Sequence, residues 1–430
     1  MTAPEIAKPS LRTEALAGIT TFFTMAYIVV VNPSILATEG TGMAFSGVLT
    51  ATVLVCFVMT LLMGLYAKLP FAVAPGMGIN AFFTFTLILT QQIWWQIALG
   101  IVFWAGILFL LISVTPIREI IARAIPLELR IGTAAGIGVF LTFIGLKNAG
   151  FIAPDPVTFV KLGDLGVPAL LTILATAISA WLLTRKNALA FLAGIIFATF
   201  FGWLLGLVAT PPQLFSAPDF ETVFLKADII GALQLSLLPA IIALLFTDLF
   251  DSISTFIGVA HAGNLLDKDG QPRNLRQGLI VDSVATLGSG LAGTSSGTTY
   301  IESVAGINMG GRTGLTSVFT ALCFLPCFFL APLAGMVPAY ATASVLILVG
   351  LAMFKSVSQI SFSRIEIGLP AFLTIILIPL TFSITQGILW GFISHVGLYL
   401  MVGRRRDINP VMYALALVAV GLLLLEHAKF

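Results

Sequence analysis

The chain has 430 residues, 58% hydrophobic and 9% charged, with 21 basic against 19 acidic side chains, a formal net charge of +2 and a mean hydropathy of +1.07. Soluble domains carry roughly 25% charged residues, so composition excludes a soluble fold and indicates a polytopic membrane protein. The near-neutral balance gives no basis for binding nucleic acid. The three cysteines (Cys56, Cys323, Cys327) lie in apolar segments and read as small buried hydrophobes, not as a disulfide framework.

In chain order, the opening MTAPEIAKPSLRTEALAG lacks the short apolar core and small-residue cleavage site of a signal peptide. A spanning helix needs about 20 mostly apolar residues. On that measure crossings are expected at 14–36, 46–66, 71–90, 94–114, 127–149, 168–184 and 187–208. After a polar loop they are expected at 235–262, 275–292, 294–310, 313–333, 338–356, 367–384 and 385–403. This makes fourteen, and a further apolar segment, 409–425, follows the triplet Arg404–Arg405–Arg406, which reads as a membrane-edge anchor. With the N-terminus in the cytoplasm, alternation puts Lys8, Arg12, Lys68, Arg118, Arg123, Arg130, Arg185 and Lys186 on the cytoplasmic side. It adds Lys268, Arg273, Arg276, Arg312, Lys355, Arg364 and the triplet. Only Lys147, Lys161, Lys226 and Lys429 fall elsewhere. The positive-inside bias supports both orientation and span count.

The chain also repeats itself. FFTMAYIV from Phe22 resembles LFTDLFDS from Leu245, and VAPGMGINAFF resembles GTSSGTTYIESVAG, at nearly one common offset that also aligns Asn80 with Glu302. The proline-led starts at Ile125–Pro126 and Val337–Pro338 follow in the same order. Seven crossings per half is odd, so the second half is expected upside down relative to the first. Inverted repeats mark transporters whose substrate site lies at mid-membrane between broken helices.

The run GTSSGTTYIESVAG, residues 293–306, is small and polar in apolar surroundings and carries Glu302. Non-helical backbone at membrane depth survives only when buried in protein or lining a wet cavity. A short strand followed by a half-helix is therefore expected here and at Ala74–Pro75–Gly76–Met77–Gly78, with the helix N–H groups aimed at the centre. Close helix packing through small residues would explain Gly and Ser but not a glutamate. Ionisable residues within the membrane mark function by default. A second acidic pair, Asp248 and Asp251, is spaced three apart on one helix, where the first repeat has Met25 and Ile28. Asp251 reads as functional, while Asp248 reads equally as a hydrogen-bonded core residue. Asp282, near a span end, reads as structural. No basic residue is placed at mid-membrane, and a carboxylate without a countercharge there is costly to keep ionised, which suits uptake and release of a proton. His261 and His427 lie near span ends and His395 stands alone, so no histidine relay is expected. Carboxyl groups beside the Asn80 amide suit a flat neutral heterocycle and suit a permanent anion poorly.

Five motifs in order, TEALAGITTFFTMAYIVVVNPSIL, APGMGINAFFTF, GIGVFLTFIGLKNAG, FTDLFDSISTFIGVA and GTSSGTTYIESVAGINMGGRTGLTS, resemble the nucleobase–cation symporter 2 superfamily, in its adenine/guanine/hypoxanthine permease (AzgA-like) branch. The resemblance implies an all-α, fourteen-span 7+7 inverted repeat with short strands in spans 3 and 10. It divides that fold into a core domain (spans 1–4 and 8–11) and a gate domain (spans 5–7 and 12–14). On this chain these become core 1–125, gate 126–230, core 231–335 and gate 336–430, the last including the extra segment. The resemblance implies proton-coupled uptake of purine bases and no enzyme activity. The family's third-span asparagine falls on Asn80, its eighth-span acid on Asp251 and its tenth-span glutamate on Glu302. Thr299 and Thr24 join the expected substrate set, and Asp251, Glu302 and Asp248 the proton-coupling set. Ser254, in DSIST, stands where the family has glycine, and Thr255 stands where uracil-carrying relatives have histidine. A stacking aromatic is expected among Phe82, Phe246 and Phe250. The partners implied are a purine base, a proton and the lipid bilayer of the cytoplasmic membrane; a homodimer is left open and no cofactor or metal is called for. Two rival readings remain, an anion transporter or channel of the same architecture and an intramembrane enzyme. The second has no HExxH or GxSxG motif to support it.

Overall fold

A computed structural model describes residues 10–115, 124–263, 265–266 and 272–427. Lys8, Arg118, Arg123, Lys268 and Lys429, used in the orientation argument, lie outside the described residues. Among the described residues, eight helices are long and apolar enough to cross a membrane, and further apolar helices are shorter.

The first of these eight, Leu11–Leu36, is interrupted at Ala26–Tyr27. Helix α1 (Leu11–Met25) is capped by Ser10, whose hydroxyl accepts from the Thr13 N–H at 3.2 Å. It ends at Ala26, and α2 (Ile28–Leu36) starts after Tyr27. Helix α3 (Phe45–Leu62) widens into a π-helical turn, Met63–Ala67, that ends on the left-handed Lys68. The chain then extends as β1 (Val73–Pro75). Pro75 disfavours helical backbone at the residue before it, which helps hold Ala74 extended. Helix α4 (Met77–Ala81) continues as a π-helix over Phe82–Thr90. There follow α5 (Trp95–Val114) and α6 (Leu127–Asn148). A hairpin of β2 (Ile152–Asp155) and β3 (Phe159–Leu162) occupies what the apolar pattern leaves as a loop. Helices α7 (Val167–Thr184) and α8 (Ala190–Leu204) complete the first half.

The second half opens with α9 (Leu238–Ala262) and α10 (Leu275–Ala292). Gly293, with φ +98°, takes the left-handed turn that releases the chain from α10, a conformation glycine adopts without steric cost. Strand β4 (Gly297–Thr299) and the short α11 (Ser303–Asn308) follow. The remaining helices are α12 (Gly314–Phe324), α13 (Ala331–Gly335), α14 (Ala339–Phe354), α15 (Ile365–Thr381), α16 (Ile384–Met401) and α17 (Pro410–His427). The extra apolar segment is thus helical, and it packs on α16 and α9.

Two strands from opposite halves meet at the centre. β1 pairs antiparallel with β4, with Val73 opposite Thr299, Ala74 opposite Thr298 and Pro75 opposite Gly297, and all six residues are buried. Beyond the register, Gly76 N–H donates to Ser296 O at 2.8 Å and Tyr300 N–H to Ala72 O at 2.9 Å. Side chains cover the remaining backbone groups. The Thr60 hydroxyl donates to Val73 O at 3.0 Å and accepts from Val73 N–H at 2.9 Å, and Ser303 Oγ accepts from Ala72 N–H at 3.0 Å. This meets the requirement that backbone polar groups in lipid find partners within the protein.

The helices pack in two groups around this pair. In one, α1 lies on α12, and α10 lies against both α3 and α5. In the other, α6 packs against α14 and α15, and α7 against α8 and α14. The groups touch where α9 meets α6 and α16, and where α2 meets α14.

Candidate functional site

The two strands place their following residues around a cavity of about 100 Å³ between the groups of helices. Its lining includes Tyr27, Gly76, Met77, Asp251, Thr298, Thr299, Tyr300 and Glu302, with Val349 and Met353 closing it from α14. Asp251 and Glu302 are only partly buried and face this shared space. Among the described residues, no lysine or arginine forms an ion pair with either acid.

Glu302 is held from α1–α2. The phenol of Tyr27, at the junction of the two helices, donates to Glu302 Oε1 at 2.7 Å. Tyr27 itself is almost fully buried, and its ring meets Phe191 of α8 edge-on, with centroids 4.9 Å apart. One residue thereby touches the acid of one helix group and a helix of the other. Thr24 lies behind the site, donating to Thr21 O at 2.7 Å and reaching Glu302 O only at 3.5 Å.

Two expected site residues, Asn80 and Asp248, face elsewhere, and a third, Thr299, is tied to a neighbour. Asn80 is fully buried and does not line the cavity. Its amide oxygen accepts from Ser295, and its Nδ2 lies 3.8 Å from Met77 Sδ. Asp248 is likewise fully buried, and its Oδ2 accepts from Ser296 at 2.7 Å and from Thr286. Its Oδ1 has no hydrogen-bond partner among the described residues. The three-residue spacing that pairs Asp248 with Asp251 therefore separates them: one faces α10 and β4, the other the cavity. Thr299 does border the cavity, but its hydroxyl donates to Asp282 Oδ1 at 2.8 Å and its N–H to Asp282 Oδ2 at 3.2 Å. Asp282 thus fixes the end of β4 from α10.

The aromatic residues at the cavity are Tyr27 and Tyr300, and the Tyr300 hydroxyl donates to Pro75 O. Phe250 lines an adjoining space, stacked on Phe246 at 5.7 Å, and Phe82 is fully buried. That adjoining cavity, of about 50 Å³, shares Gly78, Asp251 and Met353 with the first and extends to Arg130 and Ser254. Arg130, counted among the cytoplasmic-side cations, borders the same void as Asp251 but forms no ion pair with either acid. Its reach follows from its position one turn inside α6, where a long side chain can turn inward.

The model of a family described as the permease family matches residues 12–389. The chain belongs to this permease family. Over 95% of its length it is 42% identical to the adenine permease AdeP of Escherichia coli, covering 92% of that protein. It is 38% identical to the guanine/hypoxanthine permease PbuG of Bacillus subtilis, over 96% of each chain. Among solved structures, the transmembrane domain of the cyanobacterial bicarbonate transporter BicA matches with a TM-score of 0.65 at 18% identity, covering 90% of this permease and 98% of that chain. This last likeness is one of fold alone. Family membership makes the chain a multi-pass membrane transporter and not an enzyme, which disposes of the intramembrane-enzyme reading.

Proposed function

We propose that this permease carries a purine base, adenine, hypoxanthine or guanine, together with a proton into the cell across the cytoplasmic membrane, with its N-terminus in the cytoplasm. The observation that carries the proposal is the cavity bordered by Asp251 and Glu302, neither of which is ion-paired to a cation among the described residues. Two carboxyl groups from different helices offer acceptors when ionised and a donor when protonated, which matches the mixed donor and acceptor edge of a purine. Relatives named for adenine and for guanine and hypoxanthine support the substrate class.

In this reading Glu302, steadied by Tyr27, binds the polar edge of the base, and Asp251 binds beside it and carries the proton. Tyr27 and Tyr300 supply aromatic surface for the ring. Thr299 shapes the cavity wall while tied to Asp282. Asn80 and Thr24 position the strand end and the Glu302 backbone from behind, and Asp248 steadies β4 and takes no proton during transport. Fourteen crossings form two inverted halves of seven, an arrangement supported by the antiparallel meeting of β1 and β4. The core (1–125 and 231–335) and gate (126–230 and 336–430) rock against each other to expose the cavity alternately.

The test is uptake of labelled adenine, hypoxanthine and guanine in cells lacking their own purine permeases, with and without a protonophore. Glu302→Gln is expected to lose binding. Asp251→Asn is expected to lose accumulation against a gradient while still exchanging internal for external base. Full accumulation by both variants would remove these residues from the site, and protonophore-insensitive accumulation would remove the proton. An anion carrier on this scaffold is the alternative, and the two acids in the cavity weigh against it. Saturable bicarbonate or sulfate uptake with no purine uptake would reverse that judgement.

A further inference from the structure

The cavity beyond Asp251 contains a cation that the proposed cycle has not used. Arg130 lies in the first turns of α6 and borders the space of about 50 Å³ that also holds Asp251, Thr247, Ser254 and Met353. Its Nε is buried and has no hydrogen-bond partner among the described residues. Arg130 and Asp251 form no ion pair in this conformation. The void between them adjoins the ligand cavity, and Gly78, Asp251 and Met353 line both. Arg130 lies near the Leu127 end of α6, and Ser254 lies between Asp251 and the C-terminal end of α9. In the proposed topology both ends are cytoplasmic, so this void lies on the inner side of the site.

We propose that Arg130 is the inner counter-ion of Asp251: once the base leaves toward the cytoplasm, the guanidinium crosses the void, pairs with the carboxylate and drives its proton into cytoplasmic water. The O–H bond of the Asp251 carboxyl breaks, the proton passes to water, and the ion pair keeps the empty carrier ready to return. The role rests on the proton-coupled reading above. An arginine suits it because it stays charged at any physiological pH and can hold a carboxylate with two parallel N–H groups. The groups around Arg130 define the competition. Glu128, two residues earlier on α6, is the carboxylate whose charge acts on Arg130 in this conformation. Glu366 of α15 is paired with Arg404 at 2.7 Å. His395 of α16 lines a separate cavity with Tyr399. On α9, Asp248 is enclosed by hydroxyls. Asp251 is the carboxylate of the site that shares a void with Arg130.

The experiment compares Arg130→Gln, Arg130→Lys and Arg130→His for two quantities, accumulation of labelled adenine driven by a proton gradient and exchange in preloaded cells. Membrane abundance is measured alongside. The Gln variant is expected to lose accumulation at least tenfold while exchange stays within about twofold, because exchange never requires the empty carrier to release its proton. The Lys variant is expected to keep most of the accumulation. In the His variant the ratio of accumulation to exchange is expected to rise as the cytoplasm is acidified through the imidazole range, near 6.5. This variant keeps the test open if the Gln variant does not reach the membrane. Accumulation by Arg130→Gln at the wild-type rate, parallel loss of both activities at normal abundance, or a pH-independent ratio in the His variant would overturn the role. Wild-type protein that takes up no purine, or takes it up regardless of a protonophore, would instead overturn the reading beneath it.

Discussion

Tyr27 donates its phenolic proton to Glu302 across 2.7 Å while its ring rests on Phe191 of α8. The carboxyl group proposed to receive substrate is therefore steadied by a side chain that also touches the opposing helix group. In the proposed cycle, substrate binding and relative movement of the two groups would meet at this one residue.

Tyr27→Phe should keep the ring contact and remove the hydrogen bond. A hydrogen bond to a charged group contributes about 1.5–3 kcal/mol, so KM for purine uptake should rise by roughly tenfold or more. Concentration-dependent uptake at matched membrane abundance measures it. An unchanged KM would mean that Glu302 needs no help from Tyr27.

Asp248 and Asp251 should separate experimentally. Asp248→Leu leaves the Ser296 and Thr286 hydroxyls facing an apolar side chain, at a cost of about 1–3 kcal/mol for each unsatisfied group. We expect a lower melting temperature for the purified variant in detergent. Asp251→Leu should melt close to the wild type and lose transport. Reversal of this pattern would exchange the proposed roles.

Gly314 meets Gly64 backbone to backbone, and a Cβ at position 314 would overlap the Gly64 carbonyl. Neither partner has a side chain to move aside. Gly314→Ala should reduce the folded protein recovered from membranes several-fold. Size-exclusion chromatography of the solubilised variant reads this directly.

Asp219, in the loop between α8 and α9, ties that loop to α3 through Ser46 at 2.7 Å. Partial burial pushes its carboxyl upward, but bonds from Ser46, Thr222 and the N–H groups of Thr222 and Glu221 outweigh that and hold it below the usual range. A lowered carboxyl contributes stability above its unfolded range, and that contribution is lost as pH falls through the folded value. The loop should resist proteolysis near neutrality and become cleavable in acid, below about pH 4. Asp219→Asn should be cleavable at both.

The acids were legible because a charge in an apolar run needs a reason. Asp251 and Glu302 carried that signal, and the Gly/Ser/Thr run around Glu302 also announced a break in the helix. Other parts were silent. Tyr27 sits among Met, Ala, Ile and Val, where a tyrosine reads as ordinary core, and no glycine or proline marks the break beside it. Arg130 counted correctly as a basic residue near a span end, but sequence says nothing about which way a long side chain turns. A spacing of three leaves two side chains about 60° apart around the helix axis, enough to send Asp248 and Asp251 to different surroundings once neighbouring helices divide that face. Asn80 aligned with Glu302 in the repeat, yet faces Ser295 behind the strands. The alignment of two halves conserves backbone position better than side-chain environment.

The three-residue pairing of β1 with β4 also constrains how the protein is made. The two partners emerge from the ribosome about half a chain apart, so the first strand enters the bilayer long before its mate exists. Until then Thr60 can shelter Val73, but Ala74 and Ala72 lack the acceptors and donors that β4, Tyr300 and Ser303 later provide. The amino-terminal portion is therefore an unfinished intermediate during biogenesis, and insertion of the carboxy-terminal portion is the step that completes it.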